Sequence, residues 1–374
     1  DFLRQAGALQ VAPDRTVRSL FAEVQIPLLS EKTGVPLVHQ LDLNLAGRID
    51  DHNDFGRAGT PRIAMLYRPV RWLSLRGSRA EGFKAPTLSA LYSPYDPFES
   101  FFDSTNPLFD PVRGEAVEGP VMLGFGGNPD LKPERSVTYN VGMVLDVPFA
   151  PGLSISFDAF DINYKDKVEA YLAFTPQVLV DSHPDRVIRE PAVNGVPGVI
   201  IELDGTSLNS ANTRTRGYDI EVRYDRPTRW GDFGVKAMIT HPKSYEYRVA
   251  PGDPVAHLMY PDRYTGALSW SRQAMDVSMT MIYQDRYVMD ATQSYVAPSR
   301  IEWTPTLSYD FGRDARFGAG QPGWIARALA NTWVSASFPN VFNRGPTVGD
   351  AAQSFVTVYD PRLARYSLSI RRQF

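Results

Sequence analysis

An all-β, antiparallel transmembrane β-barrel wall is the fold class that this 374-residue sequence predicts, on three observations. Apolar and polar residues alternate at period two in about thirteen separate segments. The connections between those segments alternate between short and long. The last segment, YSLSIRRQF, keeps alternating to the final residue, with Tyr366, Leu368, Ile370 and Phe374 on one parity and Ser367, Ser369, Arg371 and Gln373 on the other. Chain ends are ordinarily polar and frayed, because little packing holds them.

Taken in order, residues 19–28 carry Leu20, Ala22, Val24, Ile26 and Leu28 on one side. Residues 38–49 set Leu41, Leu43, Leu45 and Ile49 against Gln40, Asp42, Asn44 and Arg48. Further strands are predicted over 62–70, 71–80, 136–147, 153–164, 213–225, 232–247, 263–271, 275–288, 301–311, 325–338 and 363–374. Within 136–147 the set Val137, Tyr139, Val141, Met143, Leu145 and Val147 alternates without a break. Between Phe157 and Phe160 the phase slips, which predicts a β-bulge. Pro305 removes a ladder donor, which predicts that its strand starts only after it.

Short connections lie at 68–71, 148–152, 226–232 and 271–273, and long ones at 82–135, 165–212, 248–262, 285–300 and 339–362. Short turns on one side and long loops on the other are the asymmetry of an outer-membrane barrel. A propeller would repeat a motif every 40–50 residues or so, and no such repeat is present. Trp72, Trp230, Trp270 and Trp324 lie in or beside short connections, whereas Trp303 and Trp333 do not. Indoles gathered at one end of the strands predict an aromatic girdle at one membrane interface.

Composition removes other classes. No run of about 18 apolar residues exists, so membrane helices are excluded, while a barrel passes that test because its strands look only half apolar. The chain has no cysteine, which excludes disulfides and thiolate zinc sites. Its net charge of −3 comes with scattered Lys and Arg, so it shows no nucleic-acid footprint. The five histidines lack metalloprotease spacing, and neither a G-x-S-x-G elbow nor a P-loop occurs. RIDDHNDFG places Asp50, His52 and Asp54 at alternate positions before Gly56, but the glutamate of a calcium loop is missing, so it reads as a solvated hairpin. No enzyme, cofactor or metal site is expected.

LRGSRAEGFKAPTLSALY (75–92) resembles the TonB-dependent outer-membrane receptors: a strand, a Ser- and Gly-containing step, an aromatic, a basic residue, AP and a Leu-x-x-Leu-Tyr-like stretch. NPDLKPERS (128–136) is similar to that family's Asn-Pro-x-Leu-Lys-Pro-Glu motif, and FDAFDINYKDKV (157–168) to the strand that follows it. TRGYDIEVRYD (215–225) and the stretch from NVFNRGPTV to the end (340–374) resemble the late strands. The resemblance implies that residues 1–374 are the C-terminal portion of a 22-stranded receptor barrel, in the outer membrane of a Gram-negative bacterium, with plug domain and signal peptide absent. It further implies active import of a scarce nutrient: a siderophore–iron complex, cobalamin, a carbohydrate or a peptide. The alternative on strand pattern alone is a passive porin.

Implied partners are outer-membrane lipid, the TonB complex acting through a plug, and the barrel assembly machinery. The assembly signal read by that machinery would be Tyr366, Leu368, Ile370 and Phe374, although Arg372 sits where the family prefers an apolar residue. Substrate capture is expected on the 82–135 loop, where Tyr92, Tyr95, Phe98, Phe101 and Phe102 concentrate aromatic surface that is costly unless covered. Leu41, Leu43, Leu45, Val137, Tyr139, Val141, Met143 and Leu145 should face lipid. Asp42, Asn44, Arg48, Arg76, Asn140 and Asp146 should face plug or water. An odd strand count further predicts an open sheet whose first and last strands do not pair.

Overall fold

A computed structural model describes residues 14–169, 176–248, 256–258, 261–288, 296–314, 317, 323–345 and 362–373. Thirteen strands follow one another in chain order through a single antiparallel sheet. They are β1 (Val17–Ser30), β2 (Gln40–His52), β3 (Arg62–Val70), β4 (Leu73–Lys84), β5 (Glu134–Asp146), β6 (Leu153–Glu169) and β7 (Leu208–Thr228). The path continues through β8 (Gly231–Arg248), β9 (Arg263–Arg272), β10 (Met275–Gln284), β11 (Arg300–Asp310), β12 (Thr332–Ser337) and β13 (Ser367–Arg372). Two short strands, Gly56–Gly59 and Ala256–Leu258, pair beside β2 and β8. Among the described residues β1 and β13 are both edges and share no ladder, as expected from the odd strand count.

Register turns the sequence alternation into two chemically different faces, because directly paired residues project to the same side. One row runs Leu41, Tyr67, Leu75, Met143, Phe157, Ile220, Ile239, Tyr264 and Tyr283 across nine strands. The row on the opposite face starts one residue along and reads Asp42, Leu66, Arg76, Gly142, Asp158, Asp219, Thr240, Arg263 and Gln284. Leu43, Leu45, Val141 and Leu145 fall with the apolar face, and Asn44, Asn140 and Asp146 with the polar one. Val141 is 65% exposed, which is a liability in water and the normal condition of a strand residue facing lipid.

The polar face is braced by ion pairs. Arg76 donates from Nε and Nη2 to the two oxygens of Asp158 at 2.9 and 2.6 Å, reaching over the intervening strand β5. It passes above Gly142, where a Cβ would lie 2.1 Å from Asp158 Oδ1 and 2.8 Å from Arg76 Nε, so only glycine leaves room. A cleft of about 470 Å³ on this face is lined by Gln25, Asp42, Asn44, Arg76, Asn140 and Asp158, among others.

Three expectations about the elements need correction. Pairing of β5 with β6 is unbroken from Asp146–Ser154 to Arg135–Lys165, so no bulge separates Phe157 from Phe160. The two rings simply occupy opposite faces, and the irregularity comes later, at Asp166, whose φ is +56°. Strand β11 begins at Arg300 and runs through Pro305. The Pro305 carbonyl accepts from Phe338 N at 3.0 Å, one residue beyond the end of β12, so the missing N–H falls where the ladder has already stopped. Residues Trp324–Leu329 are helical, and the strand predicted from 325 starts at Thr332. The link from Asp310 to Thr332 is therefore a longer insertion on the side where the other connections are short. The long segments 82–135 and 165–212, expected only as long connections, carry strands and helices of their own.

Aromatic placement at the turn side matches expectation for Trp72 and Trp230, which lie in the turns, and for Trp270, whose Nε1 donates to Trp230 O at 3.0 Å. Trp324 opens the inserted helix. Trp333 lies at the same end of the sheet, opposite Asp310, with Arg371 stacked on its ring at 5.7 Å. In β13, Leu368 and Ile370 pair with Ala336 and Val334 and are 68% and 67% exposed; Tyr366 precedes the strand, and Phe374 lies outside the described residues.

Candidate functional site: a cap built from two long loops

The loop from β4 to β5 and the loop from β6 to β7 fold into one body. The first supplies helix α1 (Leu88–Tyr92), capped by Thr87 Oγ1 accepting from Ala90 N at 3.1 Å, and strands Asp96–Phe102 and Gly119–Phe125. The second supplies helix α2 (Pro176–Ser182) and strands Val187–Arg189 and Ile200–Asp204. The two loops join where Gly119–Phe125 runs parallel to Ile200–Asp204, with Met122, Leu123 and Gly124 opposite Glu202, Leu203 and Asp204. Their shared core is Phe102, Leu108, Val121, Leu123, Leu179, Val180, Ile200, Leu203 and Leu208. Burying this many large side chains accounts for ordered structure in what would otherwise be solvated loops, each worth about 1.5–3 kcal/mol when fully buried.

A charge pair and a side-chain amide tie the loops together, and a second charge pair braces the β6–β7 loop from within. Arg189 clamps Asp110 with both terminal nitrogens, Nη2 donating to Oδ1 at 2.8 Å, and Asp110 is 1% exposed. That arginine, together with backbone donors Val112 and Arg113, holds the Asp110 carboxyl below the usual aspartate range against the opposing effect of burial. Arg186 reaches Asp204 at 3.2 Å and Thr206 Oγ1 at 2.6 Å. Gln177 exchanges two hydrogen bonds with the Phe109 backbone at 2.7 and 2.9 Å.

The NPDLKPERS stretch seats this cap on the sheet. Asn128 donates to Ser207 O at 2.9 Å, Leu131 is buried, and Lys132 and Asn209 exchange a reciprocal pair of bonds at 2.8 Å. Glu134, 2% exposed, accepts from Lys84 Nζ at 3.3 Å, from Val168 N at 3.1 Å and from the Tyr164 hydroxyl. One carboxylate therefore joins the upper ends of β4, β5 and β6. Replacing Glu134 with Ala leaves the part-buried Val168 N–H and Tyr164 hydroxyl without their acceptor, while exposed Lys84 turns to water, with an expected loss of about 1–3 kcal/mol. Faster proteolysis between residues 84 and 134 would register it, and wild-type resistance would show that the carboxylate is dispensable.

The five aromatics singled out from the sequence divide. Phe102 is in the cap core. Tyr92, Tyr95, Phe98 and Phe101 remain on the surface, with Phe98 stacked on Phe125 at 5.2 Å and 7°. Phe101 projects to the opposite side of its strand from Phe98. The Tyr95 ring lies over Gly124, where any Cβ would sit 1.9 Å from its hydroxyl, and the hydroxyl donates to Glu202. Burial first, and then the Glu202 carboxylate, push that phenol up to about 12, so it stays a neutral donor. Glu202, Phe125 and the Asp110–Arg189 clamp were not singled out from sequence; their partners lie 79 to 107 residues away for the polar contacts.

No group of His, Cys, Asp or Glu suited to a metal ion occurs among the described residues. Asp50 is engaged by Ser19 and Arg48, and Asp54 by Arg15, so the hairpin residues are spent on structure. What the geometry offers is an exposed aromatic surface on a structured cap, beside a sheet with one polar face.

A family profile described as "TonB dependent receptor-like, beta-barrel" matches residues 3–343. The chain belongs to that family. Among curated relatives, this receptor barrel is 30% identical over 129 residues to the probable TonB-dependent siderophore receptor PirA of Acinetobacter baumannii, a match covering 34% of the chain and 15% of the relative. It is 26% identical over 132 residues to the iron-regulated outer membrane virulence protein of Vibrio cholerae, covering 35% and 17%. Among solved structures, the siderophore receptor PirA of Acinetobacter baumannii superposes with a TM-score of 0.61 at 15% identity, covering 98% of the chain and 48% of the relative. A mutant ferric enterobactin receptor of Pseudomonas aeruginosa gives 0.60 at 15% identity, covering 95% and 44%. These superpositions establish the fold, and the receptor barrel spans less than half the length of the structures it matches.

Proposed function

We propose that this chain is wall and cap of an outer-membrane receptor that imports an iron–siderophore complex by TonB-dependent active transport. The observation that carries the reading is the structured cap joining two long loops above a wall of the family's fold, in a chain with one curated relative named a probable siderophore receptor and another named iron-regulated. Exposed aromatic surface beside fixed polar groups is the composition of a small-molecule capture site. Tyr92, Tyr95 and Phe98 provide the contact surface, Phe98 and Tyr95 being held by Phe125 and Glu202. The polar face forms the lumen wall, against a plug through which the energy-transducing complex acts.

Further strands complete the barrel. Lipid does not satisfy unpaired strand edges, and among the described residues β1 and β13 each present one. About nine more strands bring thirteen to the 22 of large outer-membrane transporters.

Replacing Tyr92, Tyr95 and Phe98 together with Ala in the full-length receptor is expected to weaken ferric-siderophore binding about thirtyfold or more, as loss of an aromatic hot spot does. Heat-modifiable migration of the barrel should be unchanged. Radio-iron uptake should stop when the proton gradient is collapsed. Binding at wild-type affinity across a panel of ferric siderophores would remove the cap from the capture step. Flux that persists without the gradient would favour the passive channel.

A further inference from the structure

The apolar face does not stay apolar to the ends of its strands. From the short-turn side, the lipid-facing positions of β5 run Leu145, Met143, Val141 and Tyr139, and then Arg135 lies beyond Val137. The same transition occurs on its neighbours. On β4, Leu73 and Leu75 give way to Arg79 and Glu81. On β6, Ile155 and Phe157 give way to Asp161, Asn163 and Lys165. On β7, Ile220 and Tyr218 give way to Arg216 and Arg214.

A concavity of about 390 Å³ lies at this transition, where Arg79, Arg135, Lys165 and Arg214 are set against only Glu81 and Asp161. Both carboxylates are already committed. Glu81 takes Arg79 at 2.6 Å, and Asp161 takes Arg214 in a bidentate pair at 2.9 and 2.6 Å. The nearby Asp51 is held by Arg57 at 3.3 Å, and Glu246 by Arg216 at 2.6 Å.

Arg135 and Lys165 are left over. They are direct cross-strand partners and both are exposed, and no anion among the described residues pairs with either. Like charges directly opposite one another destabilise a sheet, so the arrangement is favourable only when an anion lies between them. Its position, on the lipid-facing side just beyond the apolar band, is where lipid headgroups lie.

We propose that this cluster docks the phosphate-bearing headgroup of an anionic lipid of the surrounding leaflet. Arg135 and Lys165 take the phosphate, Arg79 and Arg214 border it, and the Tyr139 ring marks the boundary between headgroup and acyl chain. The proposal rests on the outer-membrane reading above, because only there does this face meet lipid.

The test is native mass spectrometry of the full-length receptor, extracted from outer-membrane fractions and offered bis-phosphorylated lipid A in mixed micelles. The wild type should retain it. Arg135→Gln with Lys165→Gln should lower the affinity about thirtyfold, which is about 2 kcal/mol at 1.4 kcal/mol per decade, or about 1 kcal/mol per cation at a membrane surface. The swap Arg135→Lys with Lys165→Arg should restore retention, and heat-modifiable migration should show each variant folded.

Equal retention by the Gln variant, or retention of phosphatidylcholine as strong as that of lipid A, would overturn the proposal. Binding of inorganic pyrophosphate without lipid A would assign the site to a free phosphate and also overturn it. Failure to recover the wild-type protein in the outer-membrane fraction would instead refute the reading on which the proposal rests.

Discussion

Val141→Arg is expected to sharply reduce the amount of folded barrel in the membrane, while Asn140→Arg at the adjacent position is tolerated. Val141 sits on the apolar face, paired with Gly77 and Ala159, with Met143 and Tyr139 on either side along the strand. An arginine at mid-bilayer depth on the lipid face costs about 2–4 kcal/mol. Asn140 projects to the other face, between Ser78 and Phe160, where it lines the polar cleft and a guanidinium finds water and carboxylates. Urea midpoints in vesicles, together with the heat-modifiable fraction in cells, would measure the contrast. Equal damage from both changes would mean that the two faces have been assigned wrongly, and equal tolerance would mean that neither meets lipid.

Arg189→Ala carries the second large effect, on the cap alone. Asp110 is 1% exposed and Arg189 is its only cationic partner among the described contacts. Removing one member of a buried pair costs about 3–5 kcal/mol, because the remaining charge is left uncompensated. The cost falls on the loops, so the expectation is cleavage in 93–127 and 176–206 by added protease, with the barrel itself intact. The same pair implies a pH response. Asp110's carboxyl is depressed in the folded cap, so its contribution is complete above the ordinary aspartate range and is lost as pH falls through the lowered folded value. Cap protease resistance should therefore drop in acid for the wild type but vary little for an Asp110→Asn, Arg189→Gln double variant. A cap of Arg189→Ala as resistant as wild type would show that the hydrophobic core suffices.

The sequence by itself determined the thirteen strands, their order, the separation of apolar and polar faces, and the turn side with its indoles. All of these depend on period-two alternation and turn chemistry, which are written locally along the chain. It also pointed to the 82–135 segment through its density of aromatics, four of which do lie on the cap surface. The tertiary structure decided which loops meet. Pairing of Met122 with Glu202, the clamp of Asp110 by Arg189, and the burial of Phe102 depend on partners dozens of residues away, and nothing in a local window distinguishes an aromatic that packs from one that binds. Pro305 and the helix at Trp324–Leu329 depart from the sequence expectation for a related reason: a ladder ending at Ser337 makes a donor unnecessary at Pro305, and the true start of a strand is set by the neighbour against which it pairs. Alternation says which side of a strand is apolar, but only the neighbouring strand settles where its hydrogen bonds begin and end.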